Sequence, residues 1–185
     1  MNGKRLDKIL EGIKIIYAEG DMQAEVTSVV FDSRKVVPGS LFVALKGTKT
    51  DGSQFINQAI DSGAIAIISS ELPQERKQNI TWIKVPDTAV ALGQAASNFY
   101  GNPSSKFRLI GVTGTNGKTT IATLLYQLFT KLGYKCGLFS TISNYVASRE
   151  YPATHTTPDS VQLNSLMAEM VKENCSYVFM EVSSH

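Results

Sequence analysis

A glycine-rich turn that ends in a lysine and two threonines carries the clearest chemistry in this sequence. Residues 111–120 read Gly-Val-Thr-Gly-Thr-Asn-Gly-Lys-Thr-Thr and lie between an apolar segment and a segment with helical periodicity. In such a turn, backbone N–H groups around Gly114 and Gly117 can converge on phosphate oxygens. The Lys118 ammonium would reach the β- and γ-phosphates, and the Thr119 hydroxyl would ligate a bridging Mg²⁺. The pattern therefore predicts a phosphate-binding loop (P-loop).

This P-loop pattern is a variant, because Val112 stands where the strict pattern has glycine. The alternative is an ordinary strand-to-helix turn capped by a lysine. That alternative explains neither the two glycines nor the Lys-Thr-Thr run, so we favour phosphate binding.

A second group of polar side chains closes the chain, which ends Tyr-Val-Phe-Met-Glu-Val-Ser-Ser-His. The carboxyl ends of parallel strands face the crevice that holds ligands, so Glu181 is expected near the P-loop, where its oxygens suit Mg²⁺. His185 could ligate a second cation. The alternatives are a solvated carboxylate at a strand end and a frayed terminal histidine, and for His185 the two interpretations remain equally open.

A third string lies in the first half of the chain, where Phe31-Asp32-Ser33-Arg34 is followed by a Val-Pro-Gly turn and a polar loop over 46–52. The pattern predicts strand, turn, strand, loop and a helix capped near Ser53. Such loops can hold a polar ligand. Capping and turn formation explain these residue types equally well, so spacing alone does not decide between the two roles.

The elements that would position these residues change in kind near residue 101. The first part is predicted to have strands at 26–31, 41–45, 64–69 and 80–85 and helices at 53–62 and 88–100. The second part is predicted to have a buried strand at 107–112, a helix at 121–132, a strand at 134–140, an irregular stretch, a helix at 159–173 and a strand at 177–182. Alternation of this kind indicates a parallel sheet covered by helices. We therefore predict an α/β protein with a mixed α/β domain over 1–101 and the first part of a P-loop parallel-sheet domain over 102–185.

The composition narrows the class of protein. The 185 residues are 43% hydrophobic and 18% charged, with a net charge of +2 that is too small to indicate a nucleic-acid-binding surface. No apolar stretch approaches eighteen residues, so we expect a cytoplasmic protein without stable membrane association. Cys136 and Cys175 lack metal-binding or redox spacing and are predicted to be buried thiols.

Taken together, the three strings resemble the Mur ligases of bacterial peptidoglycan synthesis. The resemblance rests on Asp-Ser-Arg-x-Val-x-Pro-Gly-x-Leu-Phe-Val-Ala over 32–44, on Gly-Thr-Asn-Gly-Lys-Thr-Thr over 114–120 and on Glu-Val-Ser-Ser-His over 181–185. The Thr-Thr-Pro turn at 156–158 and the Ser-Ser-His ending are most similar to the members that extend UDP-N-acetylmuramoyl-L-alanyl-D-glutamate by a third residue. That residue is meso-diaminopimelate or L-lysine, and the sequence does not distinguish them.

The resemblance implies a role for each motif. ATP would be bound by Gly114, Thr115, Asn116, Gly117, Lys118, Thr119 and Thr120. The Mg²⁺ ions would be held by Thr119, Glu181 and His185, and the catalytic residues would be Lys118, Glu181 and His185. The uridine end of the sugar nucleotide would contact Phe31, Ser33, Thr48, Lys49 and Thr50, and the muramoyl-peptide end would contact His155, Thr156, Thr157 and Ser183. For Thr156 and Thr157, a lead into the following helix is the alternative.

The implied reaction transfers the γ-phosphoryl group of ATP to the D-glutamyl carboxylate, and an amino group then attacks the acyl phosphate. Family members are much longer than this chain, so we interpret it as an N-terminal portion, inactive alone and monomeric when full length. Two other functions stay open: a different P-loop kinase or NTPase, and a UDP-sugar-binding module without catalysis. Binding of the sugar nucleotide and of Mg-ATP would distinguish them.

Overall fold

A computed structural model describes residues 3–47, 51–152 and 158–182. Contacts divide the chain into two compact units, Met1–Phe99 and Tyr100–His185. Several of the residues assigned above lie outside the described ranges, namely Thr48, Lys49, Thr50, His155, Thr156, Thr157, Ser183 and His185.

Over its described residues, the first unit contains a five-stranded sheet, a separate two-stranded pair and three α-helices. The strands of this unit are β1 (Lys4–Arg5), β2 (Tyr17–Glu19), β3 (Glu25–Val26), β4 (Ser28–Val30), β5 (Ser40–Val43), β6 (Ala64–Ser69) and β7 (Thr81–Lys84), and its helices are α1 (Leu6–Ile9), α2 (Ile56–Asp61) and α3 (Thr88–Phe99). The sheet order is β2-β7-β6-β5-β4, with β1 and β3 forming a separate antiparallel pair. Neighbours from β4 to β7 are parallel, and β2 is antiparallel to β7.

The central strands of this sheet are buried on both faces, which explains their continuous apolar sequence. All four residues of β5 are buried, as are five of the six in β6. Side chains from neighbouring strands meet in one cluster that includes Phe42, Ile67 and Trp82. Buried parallel strands of this kind do not show the alternation of a half-exposed strand.

The second unit contains a mixed five-stranded sheet. Its strands are β8 (Arg108–Val112), β9 (Cys136–Phe139), β10 (Ser143–Val146), β11 (Arg149–Pro152) and β12 (Tyr177–Glu181), and its helices are α4 (Lys118–Lys131) and α5 (Ser160–Lys172). The order is β11-β10-β9-β12-β8, in which β9, β12 and β8 are parallel and β10 and β11 form an antiparallel hairpin. The predicted α/β class is confirmed. No helix in the described ranges is long and apolar enough to cross a membrane.

Two predictions about the second unit are wrong. The strand at 107–112 was expected to be buried, but the residues of β8 are exposed or half-buried because β8 is the last strand of the described sheet. The stretch after β9 was expected to be irregular, but it forms the β10–β11 hairpin. Ala147 takes a positive φ of 52° in the hairpin turn, where glycine or asparagine is usual, so the sequence lacks the ordinary turn signal.

The α4 helix leaves an apolar stripe exposed. Ile121, Leu124, Leu128 and Leu132, the last of which directly follows α4, are 50% to 63% exposed. An adjacent side of the helix packs against the sheet through Ala122 and Phe129. The stripe has the three- and four-residue spacing of a helix face that packs against another element.

Two glycines provide a matched test of how closely this structure is packed. A Cβ on Gly137 of β9 would clash with the buried side chain of Met170, whereas nothing lies within 4 Å of a Cβ on Gly93 in α3. We expect Gly137→Ala to lower the free energy of unfolding by about 1–3 kcal/mol through overpacking. Gly93→Ala should raise it by about 0.5–1 kcal/mol, because glycine loses more backbone entropy than alanine in a helix. Urea denaturation measures both, and equal effects would contradict the packing of α5 on β9.

Candidate active site

The P-loop joins the carboxyl end of β8 to the first residue of α4. Gly114 has φ 146° and Gly117 has φ 79°, and both values strain residues that carry a Cβ. Gly117 is the N-cap of α4, and no side chain caps the helix there. The first N–H groups of α4 are therefore available to an anion, and helix N-termini with free N–H groups of this kind can bind phosphate.

Lys118 lies over the exposed loop that precedes it. Its Nζ donates to the carbonyl oxygen of Gly114 at 2.8 Å and lies 3.5 Å from that of Thr115. A fully charged anion is a stronger acceptor for an ammonium than a neutral carbonyl. The geometry thus allows a phosphate oxygen to take the place of these carbonyls without moving the lysine far from the loop.

Glu181 comes to the P-loop because β12 pairs with β8. In this parallel pair Glu181 is opposite Val112, the last residue of β8. Glu181 is 7% exposed, and its Oε2 accepts a hydrogen bond of 2.8 Å from the Thr119 hydroxyl. The carboxylate and the hydroxyl therefore share one small site beside the cradle.

The chemistry of these two groups suits a magnesium ion. Mg²⁺ takes hard oxygen ligands, and it is usually held by one or two protein oxygens together with the phosphates of a nucleotide. The Thr119 hydroxyl and the Glu181 carboxylate supply two such oxygens, which are joined by a hydrogen bond of 2.8 Å in this structure. Within the described ranges, no three His, Cys, Asp or Glu side chains come together as a metal site. The remaining ligands would then be phosphate oxygens and water, as is usual for Mg²⁺ bound with a nucleotide.

Two residues of this site, Ser140 and Thr141, were missed from the sequence. The Thr141 backbone N–H donates to Glu181 Oε2 at 3.2 Å, and its hydroxyl oxygen is 3.4 Å from that of Thr119. Ser140 is buried and bonds within the same turn. Their position directly after β9 was the available signal, since this strand ends at the same edge of the sheet as β8 and β12.

In the first unit, Ser33 lies where the predicted sugar-nucleotide string meets α2. Asp32 caps the short 3₁₀ turn that Ser33 begins. The buried Ser33 hydroxyl donates to Gln58 Oε1 at 2.9 Å, which leaves its oxygen able to accept a bond from a ligand. The Arg34 guanidinium beside Asp32 lowers the pKa of that carboxyl to about 2. Phe31 is half-buried.

The two cysteines are not candidate nucleophiles. Cys136 and Cys175 are buried and free, as predicted. Burial raises the pKa of both thiols, so the reactive thiolate is disfavoured.

Family models match both halves of the chain, and the matched regions contain the three motifs described above. Residues 25–100 match the model described as Mur ligase family, catalytic domain, and residues 112–185 match the Mur ligase middle domain. The chain is 51% identical over 181 residues to the UDP-N-acetylmuramoyl-L-alanyl-D-glutamate--2,6-diaminopimelate ligase of Phocaeicola vulgatus, and 52% identical over 181 residues to that of Bacteroides fragilis. Each alignment covers 98% of this chain and 37% of the relative, so the chain spans little more than a third of these relatives.

Solved structures show the same fold. A ligase structure of the same name has a TM-score of 0.80 and 28% identity, and the match covers 99% of this chain and 36% of that one. The MurF ligase of Thermotoga maritima in complex with ADP has a TM-score of 0.56 and 25% identity, covering 83% of this chain and 31% of that one. With both family models and a common fold along its length, this chain belongs to the Mur ligase family.

Proposed function

We propose that the protein carrying this chain is the ATP-dependent ligase that joins diaminopimelate to UDP-N-acetylmuramoyl-L-alanyl-D-glutamate in peptidoglycan synthesis. The observation that carries the proposal is the meeting of Thr119 and Glu181 at 2.8 Å beside the Lys118 cradle. Relatives at 51% and 52% identity are named for this reaction, which favours diaminopimelate over lysine as the added residue.

The residues of the cradle suit a reaction between anions. A carboxylate is a poor electrophile, and its conversion to an acyl phosphate brings two negatively charged groups together. Lys118 would stabilise the charge on the transferred phosphoryl group, and the N-terminus of α4 would orient the phosphates. Mg²⁺, held by Thr119 and Glu181, would neutralise further charge on the phosphate oxygens. Charge stabilisation and positioning require no nucleophilic side chain.

We also propose separate tasks for the two parts of the chain. Residues 1–101 would bind the sugar nucleotide through Phe31, Ser33 and the loop at 48–50. Residues 102–185 would begin the ATP-binding domain and contact the muramoyl peptide through 155–157 and Ser183, with His185 at a second Mg²⁺. Turnover would need the longer polypeptide that the relatives have. The full-length enzyme would be a cytoplasmic monomer.

A pair of titrations tests the proposed function against its alternatives. Isothermal titration of the full-length protein with UDP-N-acetylmuramoyl-L-alanyl-D-glutamate, and separately with Mg-ATP, should show binding of both. A different P-loop kinase would bind Mg-ATP alone, and a sugar-nucleotide module would bind the UDP-sugar alone. Either of these results would overturn the ligase proposal.

Lys118→Ala tests the phosphate cradle. Removal of the ammonium should lower kcat by about two to three orders of magnitude, the loss expected for one preorganised electrostatic contact to the transition state. Phosphate release measured with saturating substrates gives kcat. Lys131→Ala, at the other end of α4, is the matched control and should leave kcat unchanged. If the two variants behave alike, Lys118 has no part in phosphoryl transfer.

Ser33→Ala tests the sugar-nucleotide site. We expect the KM for the UDP-muramoyl dipeptide to rise about tenfold, while the KM for ATP stays within about twofold, because one hydrogen bond to substrate is lost. Steady-state kinetics of the full-length enzyme measure both constants. Ser28→Ala, which removes the hydroxyl that bonds Ser40 in the same unit, is the control. Equal increases in both constants would indicate that Ser33 is only structural.

A further inference from the structure

A closed turn follows β9 and is held together by one buried hydroxyl. The Ser140 hydroxyl donates to the Ser143 carbonyl oxygen at 2.7 Å and accepts from the N–H groups of Ile142 at 3.3 Å and Ser143 at 3.2 Å. Ser140 is 6% exposed. This side chain therefore closes the turn from both directions, as a donor and as an acceptor.

The closed turn points a backbone donor at the candidate metal ligand. Thr141, the residue enclosed by these hydrogen bonds, donates its N–H to Glu181 Oε2 at 3.2 Å. The Thr119 hydroxyl donates to the same oxygen at 2.8 Å. No described residue donates to the other carboxylate oxygen, Oε1.

A buried carboxylate with one oxygen fixed in this way has little freedom to rotate. Glu181 ends β12, so its backbone is already fixed by the pairing with β8 and β9. The turn adds a constraint on the carboxylate itself, from a different strand. In metal sites, the side chains that bind the metal are usually held in their binding orientation by hydrogen bonds from neighbouring groups.

We propose that Ser140 is a positioning residue for the Mg²⁺ site, because it closes the turn that presents the Thr141 N–H to Glu181. The inference rests on the proposed function, in which Glu181 holds Mg²⁺ with ATP. Ser140 itself would contact neither the nucleotide nor the metal. It would act through Thr141, and it would raise the affinity of the protein for Mg²⁺.

Metal and nucleotide affinities, measured separately, test this role. The full-length protein is titrated with Mn²⁺ in the presence of a non-hydrolysable ATP analogue, and free Mn²⁺ is followed by its electron paramagnetic resonance signal. Ser140→Ala should weaken Mn²⁺ binding by about 10-fold to 100-fold, the range for substitutions that remove a group orienting a metal ligand. Binding of the analogue without metal should stay within about twofold of the unaltered protein. A purely structural role would weaken both affinities together, and that result would overturn the inference.

The turn also contains a matched control. The Ser143 hydroxyl donates to Glu150 in the β10–β11 hairpin and not to the turn. Ser143→Ala removes one hydroxyl from the same turn and should leave Mn²⁺ affinity unchanged. An equal loss in Ser143→Ala and Ser140→Ala would show that any disturbance of the hairpin has this effect, and the inference would fail.

Glu181→Gln separates failure of this inference from failure of the proposed function. If Glu181→Gln leaves Mn²⁺ affinity unchanged, the metal site itself is wrong. If Glu181→Gln weakens Mn²⁺ binding and Ser140→Ala does not, only the role of Ser140 is wrong.

A measurement on the unaltered protein covers the case in which Ser140→Ala does not fold. The Thr141 amide should exchange slowly with deuterium and be further protected when Mg²⁺ and the analogue are bound. Rapid exchange at Thr141 in both states would overturn the inference.

Discussion

The candidate site depends on the parallel pairing of β12 with β8. This pairing places Glu181 opposite Val112, so a carboxylate from one strand and the P-loop from the other meet at the same edge of the sheet. The buried aromatic residue Phe179 of β12 packs with Phe129 of α4 and holds the helix on the same two strands. Because α4 is packed on these strands, Thr119, the second residue of the helix, is held close to Glu181.

The site combines rigid and open parts. Glu181 is buried and accepts two hydrogen bonds, while residues 113–117 of the P-loop are exposed and Lys118 rests on their carbonyl groups. A fixed carboxylate is appropriate for a metal ligand, since an octahedral ion tolerates little variation in ligand position. An open cradle suits the proposed nucleotide, which would have to enter before Lys118 could exchange its carbonyl acceptors for phosphate oxygens.

The β8 edge and α4 show that the described second unit has apolar surface without a described partner. Leu109 of β8 is 36% exposed, and the α4 stripe of Ile121, Leu124, Leu128 and Leu132 is more exposed still. The apolar residues of 107–112 are the reason that this strand was predicted to be buried. The apolar residues of the stripe likewise contributed to the predicted helix at 121–132. Hydrophobicity indicates that a face is suited to burial, but only the arrangement of strands decides whether another element covers it.

The sequence by itself determined the α/β class, most of the longer strands and helices, and the residue types of the P-loop on which the proposed chemistry rests. Those features depend on local properties: the hydrophobic period, the conformational freedom of Gly114 and Gly117, and the charge of Lys118. The tertiary structure decided which distant residues meet. Thr119 and Glu181 are 62 positions apart in the chain and come within 2.8 Å. Ser140 and Thr141 joined them only because β9 pairs beside β12, and strand order is set by long-range contacts that residue types alone do not specify.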